Sequence, residues 1–174
     1  MAKQDEIKEP TDSIRIEDAR IGYQVATNLW TYEGGTLWSK FNAFLVANSI
    51  VLASIALSMT VSSRLAVFSI GMPVVGIILC GFWFLLIKRS FEFYIYWIFS
   101  AREIEEQHLS EPVQTISRGG KFADGKKVEI IIGGEKKQLQ MSRLGRLPVR
   151  WVSYLIVVLF SVMYGVIFII NIVN

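Results

Sequence analysis

Arg102 and His108 are separated by five residues in the run Arg102-Glu-Ile-Glu-Glu-Gln-His108, and their types and spacing best suit chemistry in this chain. Such a pair offers an imidazole that can move a proton and a guanidinium that can hold an anion. The same run also reads as a charged, solvated helix face, with Arg102 bridging Glu105 or Glu106. Little else in the sequence could react. One His and one Cys, Cys80, do not make a zinc or iron site of the usual kind, and any nucleophile–His–acid triad is confined to the surroundings of His108. Gly119-Gly120 and Gly133-Gly134 read as turns, not as phosphate-binding loops. No residue is assigned as catalytic, an enzyme is the weaker class, and no cofactor or metal is expected.

The elements that must carry these residues are set by three apolar runs, Phe41–Val61, Val67–Ile87 and Trp151–Val173, none holding a charged residue. About 20 apolar residues cross a bilayer as a helix. The fold class is therefore an all-α integral membrane protein: three transmembrane helices with cytoplasmic helical extensions and a small cytoplasmic β-hairpin. A net charge of +3 is too small to favour nucleic acid as a partner. Lys40, Lys88, Arg89, Arg143, Arg146 and Arg150 flank the runs, whereas the turn 62–66 carries only Arg64. The positive-inside rule places the N-terminus and the 88–150 loop in the cytoplasm and the C-terminus outside. The first 40 residues hold no apolar leader segment, so the first span is expected to direct insertion.

Residues 1–13 are charged and expected to be disordered. Over 14–40 the spacing predicts a cytoplasmic helix, capped by Asp12 or Ser13, whose stripe of Ile14, Ile21, Val25, Leu29 and Tyr32 packs on the continuation of the second span; Gly34-Gly35 marks a kink or hinge. That continuation, 88–111, opens with an aromatic run in which six of the nine residues 91–99 are Phe, Tyr or Trp. Trp30, Trp38, Phe93, Tyr96 and Trp97 are candidates for packing between subunits. The helix should stop before Pro112. Residues 112–150 read as a loop, with a second turn at Asp124-Gly125 and a hairpin over Lys127–Gln140. Because a lone hairpin is marginal in water, it should dock on the helices or on a neighbouring copy.

Within the membrane the first helix is unusually polar. Asn42, Ser49, Ala53, Ala56 and Thr60 share one face, and Asn48 lies nearby. Such a face serves either as a packing seam or as the wall of a wet path, so Asn42, Asn48, Ser49 and Thr60 are the pore-lining or gating candidates. No span contains an ionisable Asp, Glu, Lys, Arg or His, which argues against a proton-coupled transporter. Three helices are too few to enclose a path, so conduction needs a ring of copies.

The run Leu29-Trp30-Thr-Tyr-Glu33-Gly-Gly-Thr-Leu-Trp38-Ser-Lys-Phe41-Asn42-Ala-Phe44-Leu45-Val-Ala-Asn48-Ser49, with the Lys88-Arg89-Ser-Phe junction, the helix around Trp97 and Arg150-Trp151, resembles the RipA-like octameric membrane proteins. The likeness spans about residues 20–172. It implies a homo-octamer around a central opening in a bacterial inner membrane. The membrane accessory protein of type VI-B CRISPR systems is similar, and carries a motif resembling that of HEPN ribonucleases. The likeness implies a role in antiviral defence, stress or virulence, and Arg102 and His108 match the motif by spacing. The expected function is a regulated pore whose partners are further copies and membrane lipid. The alternatives are an anchor recruiting a soluble partner through residues 113–141, and a membrane-tethered HEPN-like ribonuclease.

Overall fold

A computed structural model describes residues 12–60 and 67–173. Of residues 1–13, expected to be disordered, 1–11 lie outside the described residues, as does the turn at 62–66, whereas Asp12 and Ser13 already belong to the first helix. The chain forms α1 (Asp12–Thr60), a π-helical turn (Val67–Gly71), α2 (Met72–His108), a 3-10 turn (Glu111–Val113), α3 (Thr115–Ala123), β1 (Val128–Ile132), β2 (Glu135–Leu139) and α4 (Val149–Val173). Among the described residues three helices, α1, α2 and α4, are long and apolar enough to cross a membrane. Contacts divide the chain into a membrane unit, Tyr32–Tyr94 with Leu147–Asn174, and a polar unit, up to Thr31 with Ile95–Arg146.

In the membrane unit α2 supplies the buried line. Pro73, Gly76, Cys80, Trp83, Ile87 and Ser90 recur every three or four residues and all face inward. The Trp83 ring is enclosed by Phe41, Phe44 and Phe160, stacking on Phe44 at 6.1 Å. Pro73 is the second residue of α2, directly after the π-helical turn, in the first turn where a proline is tolerated. Outward residues such as Phe82, Leu85, Leu155 and Val162 are exposed and apolar, as lipid contact requires. Lys40 Nζ donates to Ser90 Oγ at 2.9 Å, so the cation at the start of the first span is tied to α2 just past Arg89.

One polar knot joins all three membrane helices. Tyr164 Oη donates to the Asn48 carbonyl at 2.9 Å, and Cys80 Sγ donates to Asn48 Oδ1 at 3.4 Å. Asn48 Nδ2 donates to the Phe44 carbonyl at 2.8 Å. The Tyr164 ring fits because position 76 is glycine: a Cβ there would lie 2.6 Å from the ring. Gly34-Gly35 does not interrupt α1, which runs unbroken through both residues. Gly34 instead admits the Tyr94 ring, which a Cβ would meet at 3.4 Å.

In the polar unit the α1–α2 seam is not the apolar stripe expected from spacing. Ala19, Ala26 and Ala101 are buried, and Gly22 lies against Ile104. Ile21 and Val25 are more than half exposed. Small residues let the two backbones approach closely, and this contact outweighs the bulkier stripe one step around the helix. The segment 112–150 is also more ordered than expected, because Gly119-Gly120 lies inside α3 and is not a turn. The hairpin forms as expected, with Val128 opposite Leu139 and Ile132 opposite Glu135. Both turn glycines have positive φ, 61° and 84°.

Gly76→Ala should drive the Tyr164 ring from its seat and cost about 1–3 kcal/mol, the usual penalty for overpacking. Tyr164→Phe, which loses one hydrogen bond within the membrane, should cost only about 0.6 kcal/mol. Thermal unfolding in detergent measures both, and a Gly76→Ala protein as stable as the parent would contradict the close approach.

Candidate functional site

The polar unit is organised by a carboxylate that the sequence disguises as surface charge. Glu105 is fully buried. It accepts Tyr23 Oη of α1 at 2.7 Å and the backbone N–H groups of Ile116 and Ser117 at 2.9 and 2.6 Å. Those N–H groups open α3, and the first turn of a helix has no intrahelical acceptor for them. The residue before α3, Gln114, makes no side-chain cap. Its amide donates backwards to the carbonyls of Glu105 and Leu109 at 3.1 and 3.0 Å. Glu105 therefore caps α3 from another helix and complements its positive end. Burial works to raise the Glu105 pKa, but the hydrogen bonds from Ile116, Ser117 and Tyr23 outweigh it, and the net shift is below the ordinary Glu value.

Arg102 pairs with neither Glu105 nor Glu106. Its guanidinium lies over the Phe99 ring, 5.5 Å from the centroid, and against Gly120, where any Cβ would collide with it. This contact explains a glycine inside a short helix, a position that otherwise costs about 1 kcal/mol relative to Ala. At the far end of α3, Gly125 takes φ 77° and the N–H groups of Gly125 and Lys126 return to the carbonyls of Phe122 and Lys121, a Schellman stop. The expected Asp124-Gly125 turn is this helix terminus.

The other candidates fall in different places. His108 is exposed at the last residue of α2, and no hydrogen bond joins it to Arg102. Asn48 is at the interior of a single protomer, 0% exposed, in the knot with Tyr164 and Cys80. Asn42 and Ser49 are exposed on α1, with Ser49 Oγ donating to the Leu45 carbonyl at 2.8 Å. Thr60 ends α1, and its side chain lies outside the described residues. Of the packing candidates, Trp38, Phe93 and Tyr96 are exposed, while Trp30 and Trp97 are half-buried. Sequence reasoning missed Glu105 and α3. The available signal was the stretch Thr115–Ala123, whose Ile116, Gly119-Gly120 and Phe122 spacing makes one amphipathic face.

Glu105→Gln should leave Ile116 and Ser117 with a weaker acceptor, and Glu105→Ala with none, at about 1–3 kcal/mol. Hydrogen exchange across residues 115–123 measures the loss as faster exchange confined to α3 and the hairpin. The pH dependence follows from the lowered pKa. The carboxylate's contribution is complete above the unfolded Glu value of about 4.3 and is lost as pH falls through the lower folded value. α3 should therefore lose protection in acid in the parent protein, and Glu105→Gln should flatten that dependence.

Comparison with known proteins supplies a family. The chain belongs to the octameric membrane protein family (8xMP), whose sequence model matches residues 22–173. No curated protein and no solved structure matches it.

Proposed function

We propose that eight copies of this membrane protein, as the family description implies, close into a ring in the cytoplasmic membrane and act as a regulated pore. One observation carries the reading: the small and polar face of α1, with Asn42, Ser49, Ala53 and Ala56, is exposed on the protomer. The outward faces of α2 and α4 carry Ile78, Phe82 and Leu85, and Leu159, Val162 and Ile169, which suit lipid. Polar groups in a span face a bundle interior or a water-filled cavity, so α1 turns its Asn42–Ser49 face to the ring axis. Thr60 continues that face by spacing.

The apolar residues left exposed in the polar unit, Ile21, Val25, Tyr96 and Phe99, form the contacts between adjacent copies. Trp38 and Phe93 extend them in the membrane unit. The basic flanks put the polar unit in the cytoplasm. A pore that opens on a cytoplasmic signal would serve defence or stress.

In planar bilayers the purified octamer should conduct, and Asn42→Leu with Ser49→Leu should lower single-channel conductance severalfold while leaving the octamer intact on native gels. Asn48→Leu should instead reduce the yield of folded protein. Conductance unchanged by the double substitution would remove α1 as the lining, and a parent protein that never conducts would remove the pore.

A further inference from the structure

A second feature of the polar unit stands apart from the pore. α3 and the hairpin flank an open cavity of about 390 Å³, lined by Thr115, Arg118, Gly119, Phe122, Val128, Ile130 and Leu139. The volume falls in the range of small-molecule sites, about 300–1,000 Å³. The lining follows from the two periodicities. On α3 the residues are spaced by three, one and three, a single helix face. On the hairpin Val128, Ile130 and Leu139 share one sheet face, because Val128 pairs with Leu139 and Ile130 with Lys137. Glu129 lies on the opposite face, with Lys136 Nζ 4.0 Å from its carboxylate. Leu139 is the one apolar residue of β2 and is 46% exposed, at an open wall of the cavity.

The chemistry around the cavity has one sign. Arg118 lines the cavity with its stem, its Nε donating to the Gln114 carbonyl at 3.4 Å, Lys137 stands beside Ile130 on the lining face, and no acidic residue is in the lining. Residues 113–150 as a whole hold nine Lys and Arg against three Asp and Glu. One of those acids, Glu135, pairs with Ile132 at the turn end of the same sheet face. An apolar pocket with cations at its edge fits an apolar chain bearing an anionic head. We propose that this cavity binds a single-chain anionic amphiphile, a fatty carboxylate or its equivalent from the surrounding membrane, with the chain between Phe122, Val128 and Ile130 and the head at Arg118 and Lys137.

Gly119 provides a clean test, because a Cβ built there meets no atom within 4 Å. Gly119→Leu adds a branched side chain at the lining, where its Cβ has open space, and replaces a poor helix former with a good one. The full-length octamer, stripped of lipid in detergent, is titrated with a photoreactive dodecanoate, and the labelled peptides are identified by mass spectrometry. The proposal expects saturable labelling within residues 115–139. It expects affinity to fall about tenfold in Gly119→Leu, and by a similar factor in Arg118→Gln or for the corresponding uncharged alcohol, which lack one charge-assisted contact. Hydrogen exchange over α3 confirms that both variants remain folded. Labelling confined to the membrane helices, or unchanged in Gly119→Leu, would overturn the site. Equal affinity for the alcohol would overturn the anionic class. Crosslinking of Phe122 to a neighbouring copy in the lipid-free octamer would show that a second protomer fills the cavity.

Discussion

A polar group shut off from water must find its partner inside the protein, and this constraint fixes how the helices of each unit meet. In the membrane unit the group is Asn48: its backbone carbonyl takes the Tyr164 hydroxyl, its side-chain oxygen the Cys80 thiol. In the polar unit it is Glu105, whose carboxylate is shared by Tyr23 and the opening N–H groups of α3. Apolar packing alone leaves helices free to slide or rotate by a side chain. A hydrogen bond of fixed length and direction does not, and leaving one unmade costs about 1–3 kcal/mol at a buried site such as Glu105 and about 0.6 kcal/mol within a membrane.

Glycine supplies the room that these contacts need. Gly76 seats the Tyr164 ring, and Gly120 seats the Arg102 guanidinium. In each case a large planar group lies against a bare backbone, where a methyl group would push it away. The Arg102 contact also redefines a residue whose spacing to His108 invites a catalytic reading. Its guanidinium is held between Phe99 and α3, where it braces the element that Glu105 caps. The hairpin then meets α3 through β1, whose Val128 is buried. A two-stranded ribbon is marginal without such a partner.

Other apolar surface is left over after this packing. Within one protomer Ile21, Val25, Tyr96 and Phe99 are each more than half exposed. The small-residue seam of Ala19, Gly22, Ala26 and Ala101 occupies the face that α1 and α2 present to each other. The close seam builds the protomer, and the bulky stripe is what the proposed ring assigns to neighbouring copies.

The sequence by itself determined the class of the protein, its three apolar helices, the continuation of α2 past its apolar run and the Gly133-Gly134 hairpin. These follow from local signals: run length, the charges at run ends, and a turn that two glycines with positive φ make readily. It did not reveal α3, because Gly119-Gly120 carries the local signature of a turn. Only Arg102, a residue distant in sequence, makes glycine necessary there. Nor did it separate Glu105 from its neighbours in the acidic run 103–106, since burial of one carboxylate among three depends on which helix face another element covers. The same holds for Asn48 against Asn42, which share a helix and a residue type. Tertiary structure alone decided that one is sealed beneath Tyr164 and the other is turned outward, because partners far apart in the chain meet only when the helices pack.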